Sequence, residues 1–371
     1  MKRNIDNFKK IVIKIGSSLI SEDRLLSEKR ISDWTKQITL AKKQGKQITI
    51  VTSGAISQGQ NLLDIKNRPD DLESLQALAA IGQQQLMGIY EDSFQKSNIL
   101  TAQVLLTHQD LLDRERYLNA KATIQKIIEF KAIPIINEND VVATDEIRFG
   151  DNDTLAAMVC NLIDADLMVI LTDQDGLFDK DPKSDKNAKL IKECNADELS
   201  MSDIEFNSKS TYGTGGFKTK LNAVKIASSS GTTSIIASGN IDQIINKIMD
   251  GSEVGTIFHP SQKPLTAKKQ WLANYSKSDG SVILDNGAVK AINSNGNSLL
   301  AVGVIKVNNI FNRGEIITCL DSNNSIIAKG ITNYSSKEIN LIKGLSSNKI
   351  KDTLGYISND EIIHRDNLVI L

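Results

Sequence analysis

Through residue 258, short runs of β-branched apolar residues alternate with longer stretches whose apolar residues recur every three or four positions. That alternation restricts the fold more than any other feature, because it is the signature of βαβ units around a mostly parallel sheet. Strands are expected at 11–15, 48–51, 99–106, 133–136, 167–171 and 233–237. Helices are expected at 30–44, 72–96, 116–130, 153–163 and 219–229, each with an apolar stripe able to cover a face of the sheet. Beyond His259 the texture changes: Pro260, Pro264 and several lysines mark a connector. Short apolar runs at 281–284, 299–307, 316–320, 326–331 and 368–371, broken by Gly and Asn, then predict a small β-rich domain. The 371 residues exceed what one core usually organises. The expected organisation is a domain over 1–258, a linker over 259–279 and a second domain over 280–371.

Several function classes fall away on composition. With 40% hydrophobic residues, 24% charged residues and a formal net charge of −1, nothing calls for nucleic acid. No apolar run approaches the ~18 residues that span a bilayer, and no apolar segment follows the charged N-terminus. A cytoplasmic protein without membrane partners is expected. Cys160, Cys194 and Cys319 are scattered, without disulfide or zinc spacing, which suits a reducing compartment. His108, His259 and His364 are isolated and are expected in surface or loop roles, so the chemistry must come from other side chains.

In an open α/β sheet, ligands bind just beyond the carboxyl ends of the strands. Here those turns read Gly16-Ser17-Ser18, Thr52-Ser53-Gly54-Ala55, Asn137-Glu138-Asn139-Asp140, Thr172-Asp173-Gln174-Asp175-Gly176 and Ser238-Gly239-Asn240. Five strand ends of this kind exceed what turn conformation alone requires.

Three features point to an anionic ligand. Lys14 lies inside the apolar first strand beside Gly16, whose missing Cβ lets backbone amides approach phosphate oxygens; a lysine snorkelling from a strand end is the alternative. Residues 212–220, Tyr-Gly-Thr-Gly-Gly-Phe-Lys-Thr-Lys, form a glycine-rich loop running into a helix, with Lys218 and Lys220 at its end. Loop amides and a helix N-terminus together bind anions, although such a loop also serves as a plain helix entry. It is not a Walker A motif. Gly150-Asp151-Asn152-Asp153-Thr154 precedes another helix. Asp153 or Thr154 could be a simple N-cap, or an acidic residue could hold phosphate-binding lysines and approach magnesium.

The scarcity of histidine is itself informative. A hydroxyl nucleophile usually wants a general base, whereas a carboxylate of pKa ~4.3 is already ionised at neutral pH. Phosphoryl transfer to a carboxylate needs positioning and charge neutralisation, which lysines, a metal and backbone amides supply.

In order and spacing, residues 12–18, 51–56, 136–140, 149–153, 171–177 and 213–220 resemble the amino acid kinase family. The likeness covers essentially the whole chain and is greatest to the branch that phosphorylates L-glutamate. The resemblance implies an α/β fold with a mostly parallel sheet sandwiched by helices, binding ATP and glutamate within 1–258. It implies transfer from ATP, with Mg2+, to the γ-carboxylate of L-glutamate, giving L-glutamyl 5-phosphate, the first step of proline biosynthesis. Lys14 and Lys220 would neutralise the transferring group and Asp153 would orient them. Ser53, Asp140 and Asn152 would bind glutamate, Asp140 facing its α-ammonium. Lys14, Thr172, Asp173, Thr214, Gly215, Gly216, Phe217, Lys218, Thr219 and Lys220 would contact ATP. No protein ligand of a metal is assigned. Two departures from the family pattern stand out: Ser17 where threonine is common, and Phe217-Lys218 in place of a smaller, less charged pair.

The C-terminal segment resembles a PUA domain through 281–287, 313–315, 328–331 and 363–366. Residues 280–371 carry nine basic and eight acidic side chains, unlike the basic footprint of an RNA binder, so RNA binding is not expected. The resemblance further implies a homo-oligomer, feedback inhibition by proline and a functional link to a glutamyl phosphate reductase. Kinases of N-acetylglutamate, aspartate, carbamate or uridylate are the alternatives within the fold. An inactive RNA-binding or regulatory protein is the alternative outside it. Retention of Lys14, Asp153 and Lys220 argues against the latter, and Asp140 against an acylated amine.

Overall fold

In the computed structural model, the chain forms two units, Met1–Pro264 and Leu265–Leu371. The residues described are 2–22, 25–143, 152–180, 182, 185, 187–199, 217–260, 280–295, 297–356 and 359–371. The expected connector therefore lies almost wholly outside them.

Eight strands build the sheet of the first unit: Lys10–Ile15 (β1), Gln47–Val51 (β2), Thr101–Leu106 (β3), Ile133–Glu138 (β4), Leu167–Thr172 (β5), Glu193–Asn195 (β6), Thr233–Ser238 (β7) and Thr256–His259 (β8). Their order is β3-β4-β2-β1-β5-β7-β8-β6. Every pairing is parallel except that of β7 with β8. Buried on both faces, β1, β2, β5 and β7 have no use for polar alternation and read as continuous apolar runs. After β1 the chain builds β2, β3 and β4 on one side, then crosses to β5 on the other, so β1 borders the topological switch point.

The helices of this unit include Glu28–Lys43 (α1), Ala55–Leu62 (α2), Leu72–Gln95 (α3), Arg114–Glu129 (α4), Asn152–Ile163 (α5), Phe217–Ser228 (α6) and Ile244–Met249 (α7), besides the short helical turns Ser17–Ile20 and His108–Leu112. Ile11, Ile13 and Ile15 of β1 share a core with Trp34 and Ile38 of α1 and with Leu86, Tyr90 and Phe94 of α3. On the opposite face α5 packs against β1, and nearly all of its residues are buried. Two glycines bring α2 and α3 into close contact. A Cβ at Gly59 would stand 2.0 Å from the Leu78 carbonyl oxygen, and one at Gly82 would stand 1.9 Å from that of Ala55.

The second unit has a five-stranded sheet of Gly280–Leu284 (β9), Val304–Asn308 (β10), Ile316–Leu320 (β11), Ile326–Ile331 (β12) and Leu368–Ile370 (β13), in the order β10-β9-β11-β12-β13. Val282, Ile317, Cys319 and Ala328 meet Ile292 of the helix Asn286–Asn295 (α8) and Ile339 and Ile342 of Ser336–Ile342 (α9) in its core.

The mostly parallel sheet with helices on both faces and the small β-rich unit are the architecture expected. The sequence reading passed over β6, β8, α2 and the helices of the second unit. β6 is three residues of Glu-Cys-Asn, too short to show a period. α2 starts in the polar turn 52–55 and carries Gly59 at its centre, where propensity is low.

Candidate active site

The carboxyl ends of β1, β2, β4 and β5 and the first turns of α5 and α6 supply the site. Lys14, on the penultimate residue of β1, is only 6% exposed, and its Nζ lies 2.6 Å from Asp153 Oδ1. From the first turn of α6, Lys220 Nζ donates to Asp153 Oδ2 at 3.1 Å, and Thr219 Oγ1 donates to the same oxygen at 3.0 Å. Lys220 and Asp153 are buried as well. A carboxylate in the first turn of α5 also meets the positive end of that helix. Burial alone would push the Asp153 carboxyl up, but Lys14 and Lys220, by charge and hydrogen bonding, outweigh it and hold the group well below the usual carboxylate range.

Two ammonium groups on one carboxylate leave a net charge of +1 on buried side chains. Such a site attracts anions strongly. Gly16 borders it: a Cβ there would lie 3.9 Å from the Lys14 ammonium and 3.2 Å from the Leu171 carbonyl oxygen.

Asn152 precedes Asp153 and faces the other way. Its Nδ2 donates to the Thr52 carbonyl at 2.6 Å, to Asn137 Oδ1 at 2.9 Å and to Ser53 Oγ at 3.0 Å. Asn137 Nδ2 in turn donates to Gln83 Oε1 at 2.8 Å. Gly54, at φ 99°, turns the chain sharply after Ser53 into α2, a backbone conformation that glycine adopts without strain.

Asp140 follows β4 and lines a cavity of about 600 Å³ together with Gln83, Glu91 and Glu138. Burial raises its carboxyl to about 7, aided by the negative charge of Glu138 and opposed by Arg68. Glu138 is buried, with Oε2 3.5 Å from His108 Nδ1. His108 therefore departs from the surface or loop role expected of it.

At the end of β5, Thr172 is buried; its hydroxyl donates to Asp173 Oδ1 at 3.0 Å and its carbonyl accepts from the Gly239 amide at 2.8 Å. Asp173 is exposed. Phe217 is buried and anchors the start of α6, while Lys218 is exposed. Thr214, Gly215 and Gly216 lie outside the described residues, as do Gly150 and Asp151.

Of the residues singled out in the sequence, Lys14, Asp153, Thr219 and Lys220 thus meet in one cluster, and Ser53 meets Asn152. Thr172 and Asp173 stand at the neighbouring strand end, and Asp140 on the cavity beside α3. Thr219 takes a partner not foreseen, the Asp153 carboxylate. Asn137 was read only as part of the strand-end turn 137–140, without a role, and Gln83 was missed; the signal for Gln83 is a polar residue falling on the apolar stripe of α3 that includes Leu75, Ala79, Leu86 and Tyr90.

Among the described residues, no helix is long and apolar enough to cross a membrane, and no group of three His, Cys, Asp or Glu side chains could hold a metal. Cys160, Cys194 and Cys319 are free thiols.

Residues 9–238 match the model of the amino acid kinase family and residues 280–354 that of the PUA domain. Among similar proteins, a glutamate 5-kinase of Marinomonas sp. (strain MWYL1) is 44% identical over 372 residues, covering 100% of both chains. One of Hahella chejuensis is 46% identical over 361 residues, covering 97% of this chain and 94% of its own. One of Herminiimonas arsenicoxydans is 45% identical over 372 residues, again covering 100% of both.

Proposed function

The chain belongs to the amino acid kinase family, and on that premise we propose that it transfers the γ-phosphoryl group of ATP to the side-chain carboxylate of L-glutamate. The product is L-glutamyl 5-phosphate, and the reaction opens proline biosynthesis from glutamate. The observation that carries the chemistry is the pair of buried lysines on one carboxylate, Lys14–Asp153–Lys220.

The acceptor carboxylate attacks phosphorus in its ionised form, so no proton has to leave the nucleophile and no general base is needed. What remains is to hold two anions in line against their repulsion. Lys14, from the central strand, and Lys220, from the first turn of α6, present ammonium groups to the phosphoryl oxygens. Asp153 fixes their positions and, fully ionised at neutral pH, keeps the site from repelling itself apart. Because both cations are buried and already oriented, little reorganisation accompanies the rise of charge in the transition state.

Glutamate binds across the ends of β2 and β4. Asn152 donates to Ser53 Oγ, which leaves the serine hydroxyl hydrogen to a substrate carboxylate, while Asp140 takes the α-ammonium. ATP lies over the ends of β5 and β7, against Thr172, Asp173 and the segment 214–220, where the amino end of α6 favours phosphate. Asp153 is committed to two lysines, so the described donor set suits a magnesium ion that arrives on the nucleotide and keeps phosphate and water as ligands. Magnesium would supply further charge neutralisation at the phosphates.

Cysteines that form no disulfide and a nucleotide substrate support a cytoplasmic enzyme. Proline as feedback inhibitor, a homo-oligomer and delivery of the labile acyl phosphate to a reductase complete this reading. The PUA domain, with its balanced charge, takes a structural or regulatory part.

Hydroxylamine trapping with ATP and magnesium tests the proposal, offering L-glutamate, N-acetylglutamate and L-aspartate side by side. Hydroxamate from glutamate alone is expected. Hydroxamate only from N-acetylglutamate would overturn the assignment of Asp140, hydroxamate only from aspartate would overturn glutamate as the substrate, and none from any acid would overturn the catalytic reading.

A further inference from the structure

The amide of Asn152 can serve the substrate only if it faces the right way, and nothing in its own shape decides which way that is. The two ends of a side-chain amide are nearly equal in size and opposite in hydrogen-bonding character. Asn152 Nδ2 is turned to three acceptors, one of which is Asn137 Oδ1 at 2.9 Å. Asn137 presents that oxygen because its own Nδ2 is taken by Gln83 Oε1 at 2.8 Å. All three side chains are buried, and the contacts between them are direct.

Gln83 is oriented in its turn by the cavity it lines. Among the described residues the lining carries Glu91, Glu138 and Asp140 and no lysine or arginine, although Arg68 acts on Asp140 from nearby. An acidic cavity favours the amide nitrogen over the amide oxygen. Gln83 Nε2 and Glu138 Oε1 have no hydrogen-bond partner among the described residues. A buried donor and a buried acceptor left open on one cavity suit a ligand that bears both a carboxylate and an ammonium group.

We propose that Gln83 is a positioning residue for glutamate, setting through Asn137 the direction of the Asn152 amide and so of the Ser53 hydroxyl. The inference rests on the placement of glutamate at Ser53 and Asn152. Without the Gln83 oxygen, the Asn137 amide can rotate by half a turn and bring its nitrogen against that of Asn152. Asn152 must then rotate too, turning its oxygen on the Thr52 carbonyl and the Ser53 oxygen. The serine hydroxyl hydrogen is drawn to that oxygen and lost to the substrate. The geometry is maintained by Gly82, next to Gln83, which lets α3 approach the turn after β2 closely enough for the contact.

Steady-state kinetics on the full-length enzyme test this with Gln83→Met, Gln83→Glu and Ser53→Ala. Gln83→Met keeps the length and removes the acceptor. It is expected to raise the KM for glutamate about tenfold, the worth of one buried hydrogen bond, with kcat and the KM for ATP within about twofold. Gln83→Glu, kept protonated by burial among the carboxyl groups of the cavity, retains both the acceptor for Asn137 and a donor towards the cavity, and is expected to recover most of that loss. An unchanged glutamate KM in Gln83→Met, or equal rises for glutamate and ATP, would overturn the proposal. Should Gln83→Met fail to fold, Gln83→Glu decides alone: an increase no larger than about threefold supports the positioning role and a tenfold one refutes it. Ser53→Ala separates the two levels. If it leaves the glutamate KM unchanged, the placement of glutamate fails and this inference with it; if it raises KM while Gln83→Met does not, only the role of Gln83 falls.

Discussion

Lys14 and Asp153 meet at 2.6 Å although they come from a strand and a helix almost 140 residues apart in the chain. The contact is made where the sheet changes direction of growth, on the one strand with a neighbour from each half. Lys14→Ala and Lys220→Ala remove charge at the point where negative charge gathers as the phosphoryl group transfers. Each is expected to lower kcat by about 10²–10³, the loss typical of one buried electrostatic contact. The KM for glutamate should move far less, since the substrate ground state does not share that charge. Initial-rate measurements at saturating ATP check the split, and unchanged turnover in either variant would remove that lysine from the mechanism.

Asp153→Asn separates the stabilising part of the carboxylate from its catalytic one. The variant leaves two buried ammonium groups facing a neutral amide, and about 3–5 kcal/mol of stability should be lost at pH 7. The Asp153 pKa is depressed in the folded state, so its contribution is full above the unfolded carboxylate value of ~3.9 and is lost as pH falls through the lower folded value. Denaturant midpoints of the wild type should therefore drop more steeply below pH 4 than those of Asp153→Asn.

For Asp140 the sign is the opposite. Burial, then Glu138, raises its pKa to about 7 in the free protein, and only the ionised form pairs with a substrate ammonium. kcat/KM for glutamate should rise as pH increases through about 7, since that quantity reports the free enzyme. Asp140→Asn should flatten this limb and raise the glutamate KM by about thirtyfold, the equivalent of ~2 kcal/mol. A loss confined to kcat would remove Asp140 from substrate recognition.

Much of this was legible in the sequence because parallel sheets concentrate their chemistry at strand ends. Once β1 and β5 are read from their apolar runs, Lys14 and Thr172 fall at the edge of the site without further information. Asp153 and Lys220 stood out as charges at the start of predicted helices. The raised pKa of Asp140 was not legible, since it depends first on how deeply Asp140 itself is buried and then on the charge of Glu138 beside it. Gln83 was legible only in part: among the five glutamines of α3 its place on the apolar stripe marks it as buried, but its partner Asn137 lies 54 positions away. Thr219 was read for the nucleotide, but its bond to Asp153 depends on the angle at which α6 enters.

The packing of α2 against α3 gives a last prediction, in which a change remote from the reacting atoms reaches the substrate. A Cβ at Gly82 would stand 1.9 Å from the Ala55 carbonyl oxygen and 2.4 Å from the Gly59 amide nitrogen, both backbone atoms that no side-chain rotation can clear. Gly82→Ala must therefore separate the helices, and a cost of about 1–3 kcal/mol or more is expected. Ala55 follows Ser53-Gly54 directly, and Gln83 follows Gly82, so the separation strains both the serine turn and the Gln83–Asn137 contact. Glutamate KM should rise, while the KM for ATP, which is proposed to bind at the far side of β1, should hold. Thermal unfolding with parallel substrate titrations checks both parts. A variant as stable as the wild type would show that the helices move apart freely, and with them the idea that Gly82 sets the distance between α3 and the site.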